Sequence, residues 1–318
     1  MNDLYKRQID YLRISVTDLC NLRCVYCMPA EGVQKMEHQD LLSFEEIVRL
    51  VSIFARIGVK KIRLTGGEPL VRKGIEELVG MLLAVEGIEE IALTTNGQLL
   101  EEKAFLLKQK GLDRVNVSLD TLDPQKYKTI TRRGELSPVL RGIDAARRAG
   151  LSPVKINTVV MKGLNDDEVF DFADMAVEQG LTWRFIEFMP LGGVGEKQKH
   201  YYMSNDILIE RLQKKYGLVP YTHKTLISDD YIIPGTKAVL GFISPLSHRF
   251  CSRCNRVRMT ADGRLLPCLL SSLEYPLRKM IRSGATDEEI QKRIEEAIKN
   301  KPKEHLFQGF KPMHTIGG

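Results

Sequence analysis

Six β-rich segments alternate with amphipathic helical ones from the start of the chain to about residue 190, and this rhythm limits the possible folds more than any other feature. The spacing predicts strands at residues 10–16, 60–65, 90–95, 114–119, 154–160 and 182–188, and helices at 43–57, 74–85, 99–110, 137–149 and 165–179. Ser43-Phe44-Glu45-Glu46 has the form of a capping box. Gly58, Gly111, Gly150 and Gly180 stand where helices should stop. Parallel strands need crossover helices, so repeated βα units imply a parallel sheet. Six units fall short of the eight that close a TIM barrel. The expected class is α/β, a partial (β/α)6 TIM-type barrel, with a doubly wound sheet as the alternative. The chain has 318 residues, 43% of them hydrophobic, enough for one large domain or a large and a small one.

The rhythm changes after a helix expected at 204–216. Residues 217–266 read as short β pieces and turns, and a charged helix is expected at 287–300. We therefore expect a barrel over residues 1–220 and a C-terminal α+β subdomain over 221–318.

Alternation within the strands assigns their faces. Lys61, Arg63 and Thr65 share one side, as do Asn116, Ser118 and Asp120, Lys155 and Asn157, and Arg13 and Ser15. The opposite sides are apolar. A parallel sheet is normally covered on both faces, so a polar, partly cationic face suits a lumen that receives an anionic ligand. A solvated face is the plainer alternative. The formal charge of +6 fits an anionic substrate at least as well as a nucleic acid.

Six cysteines fall into two groups of three, CNLRCVYC (Cys20, Cys24, Cys27) and CSRCNRVRMTADGRLLPC (Cys251, Cys254, Cys268). Three thiolates are one short of the set that closes an iron–sulfur cluster, which leaves open coordination of the kind catalytic metal sites need. The first residues, MNDLYKRQIDYLRISVTD, contain no apolar leader-type stretch, and no run of roughly 18 apolar residues would cross a membrane. The expectation is a cytoplasmic chain, where clustered cysteines favour metal over disulfides. A disulfide framework is the alternative for an even cysteine count.

The first trio follows the first strand, where a βα loop reaches the active face of a barrel. Thr65-Gly66-Gly67-Glu68-Pro69 follows the second strand, and its glycines would let a ligand approach the backbone closely. In the second trio, His248 precedes Cys251 by three positions, so a Cys3His zinc site and an iron–sulfur site are equal readings of the spacing. Arg256 and Arg258 flank Val257, and guanidinium forks suit phosphate and base-edge acceptors. Two solvent-facing charges are the alternative.

The C-x3-C-x2-C trio, with Tyr26 before its last cysteine, resembles the radical S-adenosylmethionine superfamily. Within it, the chain is similar along nearly its whole length to the GTP 3′,8-cyclase family. The likeness rests on RISVTDLCNLRCVYCMP, KIRLTGGEPLVR, LTTNG, VNVSLDTLD, VKINTVVMKGLND, FIEFMPLG, FCSRCNRVRMTADGRLLPCL and a terminal Gly-Gly. The resemblance implies a lyase that converts GTP to (8S)-3′,8-cyclo-7,8-dihydroguanosine 5′-triphosphate, with 5′-deoxyadenosine and methionine as co-products, in the first step of molybdopterin (molybdenum cofactor) biosynthesis. It implies that the C-terminal subdomain covers the barrel's open side. It implies two [4Fe–4S] clusters, one on Cys20, Cys24 and Cys27 and one on Cys251, Cys254 and Cys268. Tyr26, Gly67, Ser118 and Met189 match positions that contact S-adenosylmethionine. Arg13, Arg63, Thr94, Lys155, Arg256, Val257 and Arg258 match positions that bind GTP, with Lys61 a secondary candidate. Arg256, Arg258, Gly317 and Gly318 match positions that catalysis depends on, and His248 matches no ligand position.

The implied partners are a reductase or flavodoxin-type electron donor, a downstream cyclic pyranopterin monophosphate synthase and a second copy of the chain, with no nucleic acid and no membrane. Two other classes fit parts of the sequence. One is a radical enzyme that modifies a peptide and carries an auxiliary cluster. The other is a nucleic-acid-binding protein with structural zinc, although no basic helix or aromatic platform stands out.

Overall fold

A computed structural model describes residues 1–191, 197–221 and 227–305. The six expected strands are all present. β1 (Tyr11–Ser15), β2 (Lys61–Thr65), β3 (Glu90–Thr95), β4 (Arg114–Ser118), β5 (Lys155–Val160) and β6 (Thr182–Glu187) lie side by side, each parallel to the next. Six further strands follow: β7 (Val219–Pro220), β8 (Asp229–Ile232), β9 (Val239–Ile243), β10 (Arg256–Met259), β11 (Arg264–Leu266) and β12 (Tyr275–Pro276). β9 runs parallel beside β6, and β10 runs parallel beside β1. Antiparallel β8 and β7 finish one edge, and β11 and β12 the other. The parallel row therefore holds eight strands, not six. The later strands extend the barrel sheet at both edges instead of forming a sheet of their own. The architecture is α/β with a partial TIM-type barrel.

Helices α1 (Phe44–Arg56), α2 (Ile75–Leu83), α3 (Leu100–Gln109), α4 (Pro124–Thr131), α5 (Leu136–Arg148) and α6 (Val169–Gln179) connect the parallel strands. α7 (Asn205–Tyr216), α8 (Leu277–Arg282) and α9 (Asp287–Lys299) follow. α1 opens with the expected capping box: the Glu46 amide donates to Ser43 Oγ at 3.1 Å, and the Ser43 amide to Glu46 Oε2 at 2.8 Å. Its buried Ile47, Leu50, Val51 and Phe54 recur at helical spacing and face the sheet. α6 starts four residues later than its pattern suggests. The Asn165 side chain is already committed, donating to the Asp120 carbonyl at 2.6 Å and accepting from the Met161 amide at 2.7 Å, so it ties strand ends together and does not cap the helix. α6 stops at Gly180, whose φ of 63° favours a residue without a Cβ.

The apolar strand faces and these helices form one continuous core, from Leu12 and Ile14 through Ile62 and Leu64 to Trp183 and Phe242. Phe172 of α6 stacks on Trp183 at 5.1 Å, and the buried indole N–H donates to Thr158 Oγ1 at 2.8 Å. Fully burying one such side chain contributes roughly 1.5–3 kcal/mol. The opposite strand faces carry the polar residues and turn toward a cavity. Among the described residues no helix is long and apolar enough to cross a membrane.

Candidate active site

The loop after β1 carries the first trio. Its chain folds back at Cys24, whose carbonyl accepts from the amides of Cys27 at 3.0 Å and Met28 at 3.1 Å. α4 holds it from the side: the amides of Arg23 and Val25 donate to the carbonyls of Thr131 and Ile130 at 3.0 and 2.9 Å. All six cysteines are free and half-buried. Burial pushes the Cys24 thiol well up and the Cys27 thiol up to about 12, and it raises Cys20 as well. Thiols held this way bind as thiolates once a metal supplies positive charge.

The glycines after β2 are also required by the packing of the chain itself. A Cβ on Gly67 would lie 2.3 Å from the Leu19 carbonyl oxygen and 2.7 Å from that of Asp18; on Gly66 it would lie 2.8 Å from that of Thr17. The close approach is made by the chain's own cysteine loop, and the Gly67 amide donates to the Thr17 carbonyl at 2.8 Å. Glu68 is buried beside this contact. It accepts from the Asn96 amide at 2.6 Å, Thr95 Oγ1 at 2.7 Å and the Leu70 amide at 3.0 Å, yet burial dominates and lifts its pKa to about 7. Across the cavity Tyr26 donates to Asp120 Oδ2 at 2.7 Å, and burial raises Asp120 to about 6.

The second trio enters from the other side. Cys251 and Cys254 bracket a single turn that leads into β10, and Cys268 follows β11. Arg7 donates to the Cys251 carbonyl at 2.8 Å. Lys301 clamps the two halves of the trio, donating to the carbonyls of Arg256 at 2.7 Å and Pro267 at 2.8 Å. Burial would raise the Cys254 thiol, but Lys301 and Arg256 reverse that and its net shift is downward.

One cavity of about 370 Å³, near the C-terminal ends of the parallel strands, is lined by all six cysteines. Tyr26, Gly67, Ser118 and Met189 line it as well, as do Arg13, Arg63, Thr94, Arg256 and Arg258. Strand register arranges the basic groups. Arg258, Arg13 and Arg63 stand in one row across β10, β1 and β2. Several buried polar atoms here, Nε of Arg184 and Arg256 and Oδ1 of Asn116 and Asn157, have no hydrogen-bond partner among the described residues. Buried polar atoms in folded proteins are nearly always satisfied, so such a group suits a polar ligand.

The remaining sites lie elsewhere. Lys155 is not among the lining residues. It sits one alternation step below Asn157 on β5, and burial, with Arg184 and Arg114, lowers its pKa to about 7. Val257 is fully buried in the apolar core: the alternation that turns Arg256 and Arg258 inward turns its side chain away, leaving only its backbone near the cavity. Lys61 does not line the cavity, and His248 sits at the surface with Nε2 2.8 Å from Asp206 Oδ1. Gly317 and Gly318 lie outside the described residues.

Alternation placed Asn116, Asp120 and Asn157 on the lumen face, and they line the cavity; Glu68, Arg184 and Lys301, which line it too, were given no role by sequence reasoning. Arg184 was within reach, since it stands mid-strand in TWRFIE at the parity that marks the lumen face elsewhere. Lys301 carried no signal, because its clamp joins segments far apart in sequence.

Family models match the chain in two consecutive stretches: the radical SAM superfamily over residues 14–176 and Molybdenum Cofactor Synthesis C over 181–307. The GTP 3′,8-cyclases of Petrotoga mobilis and Thermodesulfovibrio yellowstonii are 48% and 49% identical to it, each alignment covering all of both chains. This chain belongs to the GTP 3′,8-cyclase family. Among solved structures, Streptococcus suis SuiB bound to S-adenosylmethionine superposes with a TM-score of 0.62 at 16% identity, over 86% of this chain and 64% of SuiB. That likeness concerns the fold. The full-length relatives, not SuiB, identify this chain as a cyclase-family member, which sets aside the peptide-modifying and nucleic-acid-binding alternatives.

The cavity fits the cofactors of that family. Among the described residues no three His, Cys, Asp or Glu side chains close around a single metal ion. In a [4Fe–4S] cluster each thiolate goes to its own iron, so the three sulfurs stand apart. Each cysteine trio here lines the cavity on loops tied down by backbone hydrogen bonds.

Proposed function

We propose that this chain is a radical S-adenosylmethionine GTP 3′,8-cyclase, a lyase that forms (8S)-3′,8-cyclo-7,8-dihydroguanosine 5′-triphosphate in the first step of molybdenum cofactor biosynthesis. The observation that carries the reading is the meeting of both cysteine trios and the lumen-face arginines in one cavity.

In this reading Cys20, Cys24 and Cys27 hold the first [4Fe–4S] cluster, and Tyr26, Gly67, Ser118 and Met189 contact S-adenosylmethionine. Cys251, Cys254 and Cys268 would hold a second cluster, which would offer open coordination to the substrate. When bound, the first cluster and S-adenosylmethionine together supply the electron and the carbon-centred radical that the ring closure needs. The chain's own residues bind and orient. Arg13, Arg63, Arg256 and Arg258 take the triphosphate through charge-assisted contacts, which are shorter and stronger than neutral ones. Thr94 holds Arg63 in place, accepting from its Nη1 at 3.2 Å. Lys155 adds a charge from below, and Val257 contributes through its backbone. The buried amides of Asn116 and Asn157 face the space between the two ends of the cavity and offer acceptors to ribose hydroxyls. The apolar cluster of Ile130, Met161 and Phe188, packed against Tyr26, shields the cavity from water on that side.

The reading includes a reductase or flavodoxin-type electron donor, a downstream cyclic pyranopterin monophosphate synthase, a homodimer and a cytoplasmic location. It retains the division of the chain near residue 220. It also gives Gly317 and Gly318 a catalytic part beside GTP. The test is anaerobic reconstitution followed by incubation with S-adenosylmethionine and a reductant, with and without GTP. The cyclised nucleotide should accumulate only with GTP, in step with coupled 5′-deoxyadenosine.

A further inference from the structure

Tyr11 opens β1 with its side chain on the lumen face, two residues before Arg13, and only 5% of it is exposed. Its phenol is ringed by cations. Arg63 donates from Nε to the phenol oxygen, and the Arg63 and Arg256 guanidinium carbons lie 5.7 and 5.2 Å from the ring centre. Arg256 is also its register partner on β10. Among the described residues neither Arg63 nor Arg256 pairs with a carboxylate. Arg114 does, with Glu90 of β3, Nε to Oε1 being 2.9 Å. Among the described residues Tyr11 is therefore the one acid directly engaged with these two arginines.

We infer that Tyr11 is a positioning residue for the substrate triphosphate: its phenol anchors Arg63 and Arg256 beneath the cavity and stands in for phosphate in the free enzyme. This rests on the reading that the lumen-face arginines bind GTP. A guanidinium without an acceptor would swing toward the nearest carbonyl, and two adjacent ones would repel. The Tyr11 oxygen occupies the Arg63 Nε and leaves its outer nitrogens, one already aligned on Thr94, directed toward the cavity. The ring gives Arg256 a flat surface of negative potential.

Other charged groups surround Tyr11. Arg13 lies on its own strand and Lys61 opposite it on β2, with Arg258 on β10. Glu90 and Arg114 lie on β3 and β4, Lys155 is beyond them on β5, and Lys301 is tied to the Arg256 backbone. Burial alone would raise the phenol's pKa, but Arg63, then Arg256, Arg114 and Arg13 more than reverse that, giving about 8. A phenolate neutralises the arginines that the triphosphate needs. GTP and ionised Tyr11 thus draw on the positive charge of the same guanidinium groups, and each must weaken the other.

The experiment compares wild type with Tyr11→Phe as the cluster-loaded enzyme. With a phenol titrating near 8, the wild-type KM for GTP should rise about tenfold from pH 7 to pH 9 beyond any share due to Lys155. Tyr11→Phe should lose that rise and keep only the Lys155 share. At pH 7 it should raise the KM for GTP about two- to tenfold with little change in kcat. The same KM ratio between pH 9 and pH 7 in both proteins would overturn the inference. Should the variant fail to load clusters, the wild type decides alone. Its phenolate absorbance near 295 nm should show one group ionising near pH 8, and saturating GTP should move that midpoint upward. A midpoint unmoved by GTP would overturn the inference. Arg256→Ala separates the two layers: unchanged GTP affinity in that variant would sink the triphosphate site itself.

Discussion

Arg13 and Arg258 lie opposite one another in the parallel pairing of β1 with β10, so the first strand and a late one present their arginines in a single row. Arg63 extends the row on β2. Parallel register holds like charges side by side at a cost, which a bound anion would offset. Cys254 and Cys268 flank Arg258 in sequence, which ties that end of the row to the second trio.

Arg256→Ala and Arg258→Ala should therefore each weaken GTP binding by about 1.5–3 kcal/mol, roughly ten- to a hundredfold, the range for a lost charge-assisted contact. S-adenosylmethionine binding should stay nearly intact. Equilibrium dialysis with each nucleotide checks this, and unchanged GTP affinity in both variants would mark these as structural charges.

The two trios should separate in function. Reconstituted wild type should carry two [4Fe–4S] clusters per chain. Cys24→Ala should abolish reductive cleavage of S-adenosylmethionine, whereas Cys254→Ala should keep part of the cleavage and lose the cyclised product. Iron and sulfide analysis alongside 5′-deoxyadenosine assays tests both halves, and stoichiometric zinc with a single cluster would refute the second site.

Gly67→Ala should destabilise the cysteine loop. The new methyl would meet backbone carbonyls of Leu19 and Asp18, which cannot rotate away. A loss of about 1–3 kcal/mol is expected, seen as a lower Tm and poorer cluster loading. Gly80→Ala is the control. That position is inside α2, its Cβ would meet only the Lys110 side chain at 3.6 Å, and the change should be neutral or stabilising. Equal Tm values for the two variants would contradict the crowding argument.

Much of this was legible in the sequence, and the missing parts have physical reasons. The six strands from β1 to β6 declared themselves because polar and apolar residues alternate along them, between helices four of which stop at Gly58, Gly111, Gly150 and Gly180. β9 and β10 did not read as barrel strands, because their parallel partners, β6 and β1, were chosen by long-range pairing that leaves no local pattern. α4 escaped notice because it is one short helix started by Pro124 and capped by Asp123, whose carboxylate accepts from the amides of Gln125 and Lys126. Both cysteine trios were plain, but spacing alone left zinc and iron–sulfur equal for the second. Glu68 and Tyr11 were visible as residues, yet their surroundings come from loops and strands that meet only after folding.

The two C-terminal glycines carry a separate expectation. Deleting Gly317 and Gly318 should leave folding and cluster content intact while formation of the cyclised nucleotide falls sharply. Chain ends are most often dispensable, so a truncated protein that makes product at the wild-type rate would remove the tail from the account.

If both trios and the lumen-face arginines serve one reaction on GTP, then GTP labelled with deuterium at C3′ must pass its label on. Mass analysis should find deuterium in the 5′-deoxyadenosine formed by the reconstituted wild type, in proportion to the 3′,8-cyclised nucleotide. Unlabelled 5′-deoxyadenosine, released at the same rate with or without GTP, would contradict it.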